Sequence, residues 1–334
     1  MSEHVLVQLP AFAGSSGMKA LIDALSLPDK GQGDVFVSTA EMEFYEPSAV
    51  CALLAQLYRW KALEGRNVQV MLGAKRNPVV GYLTHMGFFD KLGIKVAGGM
   101  AKGATANYVP IEEVKGDTVV DAVALKMVKA AMSGRTSNDD VRQLLCYALG
   151  ELLKNVQQHS CGTGYVMAQY YETGLFLIGI ADNGIGIRQS YIDSLSPLAN
   201  GKEGWTDAQW VDEAIRCQSS SKVHLRGSQG DGPVNRGIGL TMCRLFSKEC
   251  LGRFQLISHS GCLNHDFKNM DNPLEPAALG IKPGYHGVIC SIAFNPSAMG
   301  QISFMELRRQ ALRELGMLGG GTPLTGSDTM FTDS

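Results

Sequence analysis

The chain has 334 residues, 45% hydrophobic and 19% charged, with a net charge of −2. That composition describes a globular protein with more than one core, so two domains are expected. Near-neutral charge and scattered Lys and Arg supply no field for nucleic acid or an anionic membrane, which excludes both as expected partners.

In chain order, residues 5–8 read as a short strand, 16–26 as a short amphipathic helix and 35–37 as a second strand. "EPSAVCALLAQLYRWKALEG" reads as a helix, with Pro47 in its first turn, an apolar stripe of Val50, Leu53, Leu54 and Leu57, and Gly65 as its stop. "NVQVML" (67–72) is predicted to be a buried strand, and Pro78 opens a helix ending near "HMGFFDKLGI". This β-α-β-α order predicts a small α/β domain. Residues 96–117, rich in glycine, read as a linker.

Helix is predicted from about 118 to 160, broken at "SGRTSNDD", where Ser137 and Asp140 have the spacing of a capping box. The second helix carries the stripe Val141, Leu144, Leu145, Ala148 and Leu152. Two strands, "TGYVMAQYYE" and "GLFLIGIAD", meet at a tight turn around Thr173-Gly174. Residues 188–236 are loop-rich with one helix near 207–217, and "RGIGLTMCRLFSKEC" reads as a glycine turn opening a helix. Strands near 253–258 and 287–294 follow, with His265 expected in a hairpin loop. The run "GGGTPLTGSDTMFTDS" at the C-terminus is expected to be frayed.

The eight cysteines form no C-x-x-C pair and suit neither zinc nor a disulfide framework, so reduced and mostly buried thiols are expected. No apolar run approaches the ~18 residues of a membrane span. "MSEHVLVQLP" lacks the basic and apolar regions of a signal peptide. The expected location is the cytoplasm.

Three pieces carry chemistry. In "ELLKNVQQH", Glu151, Asn155 and His159 are four apart and share one helix face, where acid and amide can orient a water and hold a divalent cation; such triplets are also common on solvated faces. In "ADNGIGI", Asp182 ends a strand and Gly184 and Gly186 follow. An acid there can accept from a buried donor such as an exocyclic amine, and the glycines leave room for a ring. In "NRGIGLTMCRLF", Gly237 and Gly239 precede an apolar helix and expose amides suited to an anion. The dinucleotide fingerprint and the P-loop are both missing.

The order of these pieces is acid and amide on a helix, a hairpin, D-x-G-x-G, a loop of about 50 residues, then G-x-G-L. It resembles the GHKL superfamily of ATPases over roughly residues 135–296. The resemblance implies a Bergerat α/β sandwich, with helices covering one face of a mixed, mainly antiparallel sheet, and binding of ATP with Mg²⁺. It also implies roles. Glu151 matches the general base and Asn155 the Mg²⁺-coordinating asparagine. Asp182 matches the acid that binds the adenine amine, with Gly184 and Gly186 beside the base. Gly237, Gly239 and Leu240 match the second glycine box at the phosphates. "QSSSKVHLRGSQGDGPVN" matches the lid, from which Lys222 can reach a phosphate. Trp205 and Trp210 read as packing residues.

Within the superfamily, no histidine lies on the 118–150 segment, which argues against a classical sensor kinase. A transducer domain like that of topoisomerases is not expected in the 40 or so residues that follow. Residues 1–112 resemble a STAS domain, the fold of anti-sigma-factor antagonists, through the strand, turn, helix and closing "YLTHMGFFDKLGI". The match departs at the turn, where "EPSA" puts Pro47 at the phosphoacceptor position and Ser48 next; Ser48 reads as a helix cap. The expected organisation is a STAS-like domain and linker (1–112), a GHKL domain (113–296) and a C-terminal helix with a flexible tail (297–334). The implied function is an anti-sigma-type serine/threonine kinase using Mg-ATP. An ATP-gated switch or partner-binding module with slow or no transfer is the alternative. The implied partners are a regulatory protein, such as a sigma factor or STAS antagonist, and a second copy of the chain. Ser48 and Thr39 are in-chain acceptor candidates, ranked below a partner in trans.

Overall fold

The computed structural model describes residues 4–26, 33–73, 77–96, 103–135, 138–194, 196, 199–216, 239–268, 277–280, 284–299 and 302–314. The N-terminal part runs β1 (Val5–Gln8), β2 (Phe12–Ala13), α1 (Met18–Leu25), β3 (Val35–Ser38), β4 (Phe44–Tyr45), α2 (Pro47–Tyr58), a π-helical turn (Arg59–Leu63), β5 (Val68–Met71), α3 (Pro78–His85) and α4 (Phe88–Lys91). Strands β1, β3 and β5 form a parallel sheet with β3 in the middle, and β2 pairs with β4. Asn77 fixes the start of α3: its side-chain oxygen accepts from Val79 N at 2.8 Å, and its amide donates to the Met42 carbonyl at 2.8 Å. The strand expected to be buried at 67–72 is half-buried and exposed by turns, because β5 is a sheet edge.

The chain continues with β6 (Tyr108–Val114), α5 (Val120–Met132), α6 (Asp139–His159), β7 (Gly164–Tyr170), β8 (Phe176–Asp182), α7 (Gly186–Asp193) and α8 (Asp207–Ala214). Then follow α9 (Gly239–Glu249), β9 (Arg253–His259), β10 (Gly261–Asp266), β11 (Ala277–Ala278), β12 (Tyr285–Phe294) and α10 (Phe304–Glu314). The seven strands pair in the order β11-β10-β9-β12-β8-β7-β6, every neighbour antiparallel.

Several sequence expectations are corrected here. The region read as a linker contains β6, an edge strand of the large sheet that runs across position 112. His265 lies in strand β10 rather than a loop. Helix α6 begins one residue later than a Ser137 cap would require: Asn138 is its N-cap and accepts from Asp140 N at 2.9 Å and Val141 N at 3.4 Å. Ser137, the C-terminal run and Cys217 lie outside the described residues. Of the other cysteines, Cys51, Cys243, Cys250 and Cys290 are buried, Cys146 and Cys262 half-buried and Cys161 exposed, all as free thiols. Among the described residues, no helix is long and apolar enough to cross a membrane.

Both faces of the large sheet are covered, not one. Alternation sends Val166, Ala168, Ile178 and Ile180 into a core with α5, α6 and α9. Tyr165, Met167, Ala181, Ile257 and Ile289 point the other way, into a core with α1, α2 and the parallel sheet. Strand β8 is therefore buried along its whole length.

Helix α2 is buried from Pro47 to Leu57. Its large residues Val50, Leu53, Leu54 and Leu57 follow the expected stripe, each contributing roughly 1.5–3 kcal/mol on burial. A second stripe of small residues, Ser48, Cys51, Ala52 and Ala55, lies against β8. A Cβ on Gly179 would overlap the Ser48 nitrogen, and the Cys51 thiol donates to the Gly179 carbonyl at 3.4 Å. Ser48 is not a cap. Glu46 is the N-cap residue, Pro47 follows it, and the Ser48 hydroxyl is fully buried without a hydrogen-bond partner. Glu46 instead bridges to the large sheet: its Oε1 lies 3.2 Å from Arg253 Nη2, and its Oε2 accepts from Ser15 N at 2.9 Å.

Candidate functional site

On the α6 side of the sheet, β8, α6, α7, α9 and β12 enclose a cleft of about 890 Å³ counted out to its open mouth. Its walls are mostly apolar, including Leu152 and Val156 of α6, Ile180 of β8, Ile187 of α7, Leu240 of α9 and Val288 of β12. The polar groups come from separate segments: Asn155 and His159 from α6 with Ser160 just after it, Asp182 from the end of β8, Ser190 and Tyr191 from α7.

Asp182 is the dominant electrostatic feature. It is 3% exposed, and one carboxylate oxygen accepts from Gly184 N at 2.9 Å. Burial pushes its pKa up to about 7, against the opposing pull of the Gly184 and Val288 amides. The two glycines after it are required by the chain's own atoms. A Cβ on Gly184 would overlap the Ser160 carbonyl, so that residue lies beneath the cleft rather than in its lining. Gly186 has φ +76°, and its Cβ would stand 2.6 Å from His259 Nε2.

Glu151 is 7% exposed and sits one turn above Asn155, against the first residue of α9: a Cβ on Gly239 would stand 2.5 Å from Glu151 Cβ. This absence of a side chain lets the N-terminus of α9 approach α6 directly. Burial raises the Glu151 pKa, and Lys154, with Nζ at 3.5 Å, opposes the rise. Asn155, Asp182, Gly186, Gly239 and Leu240 therefore line one cleft, while Glu151 and Gly184 lie just behind its wall. Lys222 and Gly237 lie outside the described residues. Trp210 is buried against Trp205 and Tyr191, with ring centroids at 5.4 and 5.3 Å, as packing residues should be.

Sequence reading missed three contributors. Helix α7 was hidden in a loop-rich stretch, although Ile187 and Tyr191 have i,i+4 spacing; both line the cleft. Ser190 faces His159, with Oγ 3.3 Å from Nδ1. Cys290 of β12 also lines it, its thiol pushed up to about 12 by burial. Among the described residues, no group of three or more His, Cys, Asp and Glu is placed to hold a metal ion. Comparison with family models, with curated proteins and with solved structures finds no match to this chain.

Proposed function

We propose that this cleft binds ATP with Mg²⁺, and that the chain is a STAS-like unit joined to a GHKL-type sandwich, acting as a regulatory serine/threonine protein kinase of the anti-sigma kind. One observation carries the reading: a buried carboxylate, Asp182, stands in an apolar cleft into which Asn155 and the start of α9 also open. An apolar slot with one buried acceptor fits a flat base bearing an exocyclic amine. The amides that open α9 fit the phosphates, and Asn155 supplies one oxygen for the cation. Glu151, with its pKa raised, is the general base that takes the proton from an acceptor hydroxyl or a water.

A second reading, an ATP-gated module without phosphotransfer, is favoured by the burial of both in-chain acceptor candidates. Ser48 is fully buried, and Thr39 is 2% exposed with its hydroxyl donating to the Met71 carbonyl at 3.2 Å. Titration calorimetry with Mg-ATP and Mg-GTP tests the shared part of both readings. ATP is expected to bind and GTP far more weakly, because its carbonyl would face Asp182. Asp182→Asn should weaken ATP by about 1.5–3 kcal/mol, the cost of a buried hydrogen bond to a charged group. Unchanged ATP affinity in the variant refutes the assignment.

A further inference from the structure

The segment Asp182-Asn183-Gly184 is held from below by α2 and by the π-helical turn that follows it. The Tyr285 hydroxyl donates to the Asp182 carbonyl at 2.9 Å and lies 3.5 Å from the Ala52 carbonyl of α2. The Asn183 amide donates to the Ala55 carbonyl of α2 at 3.4 Å, and its oxygen accepts from Thr163 N at 2.9 Å. The Arg59 guanidinium donates to the Asn183 carbonyl at 3.3 Å, and its Nε lies 3.1 Å from Glu64. Asn183 and Tyr285 are each 1% exposed, so the Tyr285 and Asn183–Ala55 bonds are made away from bulk water, while the Arg59 bond is partly buried.

The contacts form a line. Ser48, Cys51, Ala52, Ala55 and Arg59 recur at three- and four-residue spacing, so they share one side of the helix, and β8 runs beneath it toward Asp182. The helix changes from α to π geometry at Arg59, where its side chain reaches Asn183. Such turns widen the helix and recur at functional sites. The carboxylate of Asp182 faces the cleft on one side of the sheet, while its own carbonyl is fixed by a tyrosine that also touches the N-terminal helix.

Resting on the nucleotide reading above, we infer that Tyr285 and Arg59 are positioning residues that couple the N-terminal unit to the base-reading carboxylate. The N-terminal unit is then an in-chain regulator of the nucleotide site. Docking of α2 sets the direction of Asp182, and nucleotide binding in turn tightens α2 on β8. The coupling is reciprocal by linkage, and no separate signal path is required.

Calorimetric titration of the full chain with Mg-ATP and Mg-GTP, in Tyr285→Phe and Arg59→Gln, tests this. Tyr285→Phe keeps the ring and deletes only the hydroxyl. Arg59→Gln changes a part-exposed side chain and leaves Glu64 paired with Arg66 at 2.9 Å, so it decides the matter if Tyr285→Phe fails to fold. Each variant is expected to weaken ATP about threefold to tenfold, the effect of one buried hydrogen bond. The ATP preference over GTP should shrink, because a misdirected carboxylate neither accepts the amine nor repels the carbonyl as well. A merely structural loss would lower both affinities alike and keep their ratio, which overturns the coupling. In the wild type, ATP should also slow amide exchange along α2; unchanged exchange there overturns it too. ATP binding by the wild type with both variants unchanged refutes the coupling alone, whereas a wild type that bound no ATP would refute the nucleotide reading and the coupling with it.

Discussion

The affinity of the cleft for an adenine base should depend on pH through Asp182, and the size of the effect follows from its burial. The carboxyl titrates near 3.8 when solvated and is pushed up to about 7 in the fold. Between these values the folded chain holds a proton that the unfolded chain has released. The stability contributed by Asp182 is therefore fully present below about pH 4 and is lost as pH rises through 7. At about 1.4 kcal/mol per unit, the raised pKa corresponds to a penalty of about 4 kcal/mol above pH 7. A base that donates its amine to the carboxylate favours the ionised form and offsets part of that penalty. With a pKa near 7, about one-tenth of the sites are ionised at pH 6 and about nine-tenths at pH 8, so affinity should rise about tenfold over that interval. Adenosine is the ligand of choice, because the phosphates of ATP titrate in the same range. Calorimetry at pH 6 and pH 8, in buffers of different ionisation heat, should show tighter binding at pH 8 and proton release at pH 6. His159 lines the same cleft, so Asp182→Asn serves as the control and should bind weakly at both pH values. Equal affinity at both pH values in the wild type, or tighter binding at pH 6, would refute the reasoning.

Glu151→Gln should leave ATP binding intact and slow phosphate transfer or release by about 10²–10⁴, measured with radiolabelled nucleotide; full activity in the variant would remove Glu151 as the base. Gly179→Ala forces a methyl into the backbone of Pro47 and Ser48, so it should destabilise the chain by about 1–3 kcal/mol in chemical denaturation. An unchanged midpoint would mean that α2 does not rest on β8 in solution. Incubation with Mg-ATP followed by mass spectrometry should find no phosphate on Ser48 or Thr39, because both hydroxyls are buried; a stoichiometric phosphate on either would show that α2 or β3 and its loop leaves its seat during turnover.

Much of the cleft was legible because its residues answer to local rules. Asp182 closes an apolar run and must do something other than pack, while Asn155 and Gly239 follow from helix periodicity and a glycine turn. The reason for the glycines was not legible. Gly184 and Gly186 suggested a ligand beside the backbone, yet the atoms that need the space belong to Ser160 and His259, which come from distant parts of the chain. Strand β6 was lost for a related reason: "NYVPIEEV" contains a proline and two acids, and only the edge position of the strand tolerates them. The second face of α2 was hidden by its composition. Alanine, serine and cysteine carry little hydrophobic signal, and what makes that face a contact surface is Gly179, about 130 residues away.

The burial of α2 also bears on how the two parts of the chain work together. If the N-terminal unit is STAS-like, as proposed, an antagonist acting in trans would have to present the turn before its helix to a kinase. Here that turn is committed to the chain's own sheet: Pro47 and Ser48 lie on Gly179, and Glu46 is paired with Arg253. Proline at the acceptor position and a buried serine beside it are thus two consequences of one arrangement, in which the turn is an internal contact. Freeing it would expose the small-residue stripe of α2 and the opposite face of β7, β8 and β12, with Tyr165, Met167 and Ile289 among the residues uncovered. At roughly 1.5–3 kcal/mol for each large apolar side chain, uncovering these three alone is comparable to the whole stability of many domains. A cycle of phosphorylation and release at Ser48 would have to overcome that cost at every turn. Under the function proposed above, this construction favours sensing nucleotide through a docked domain over modifying that domain, and any transfer would be to another molecule.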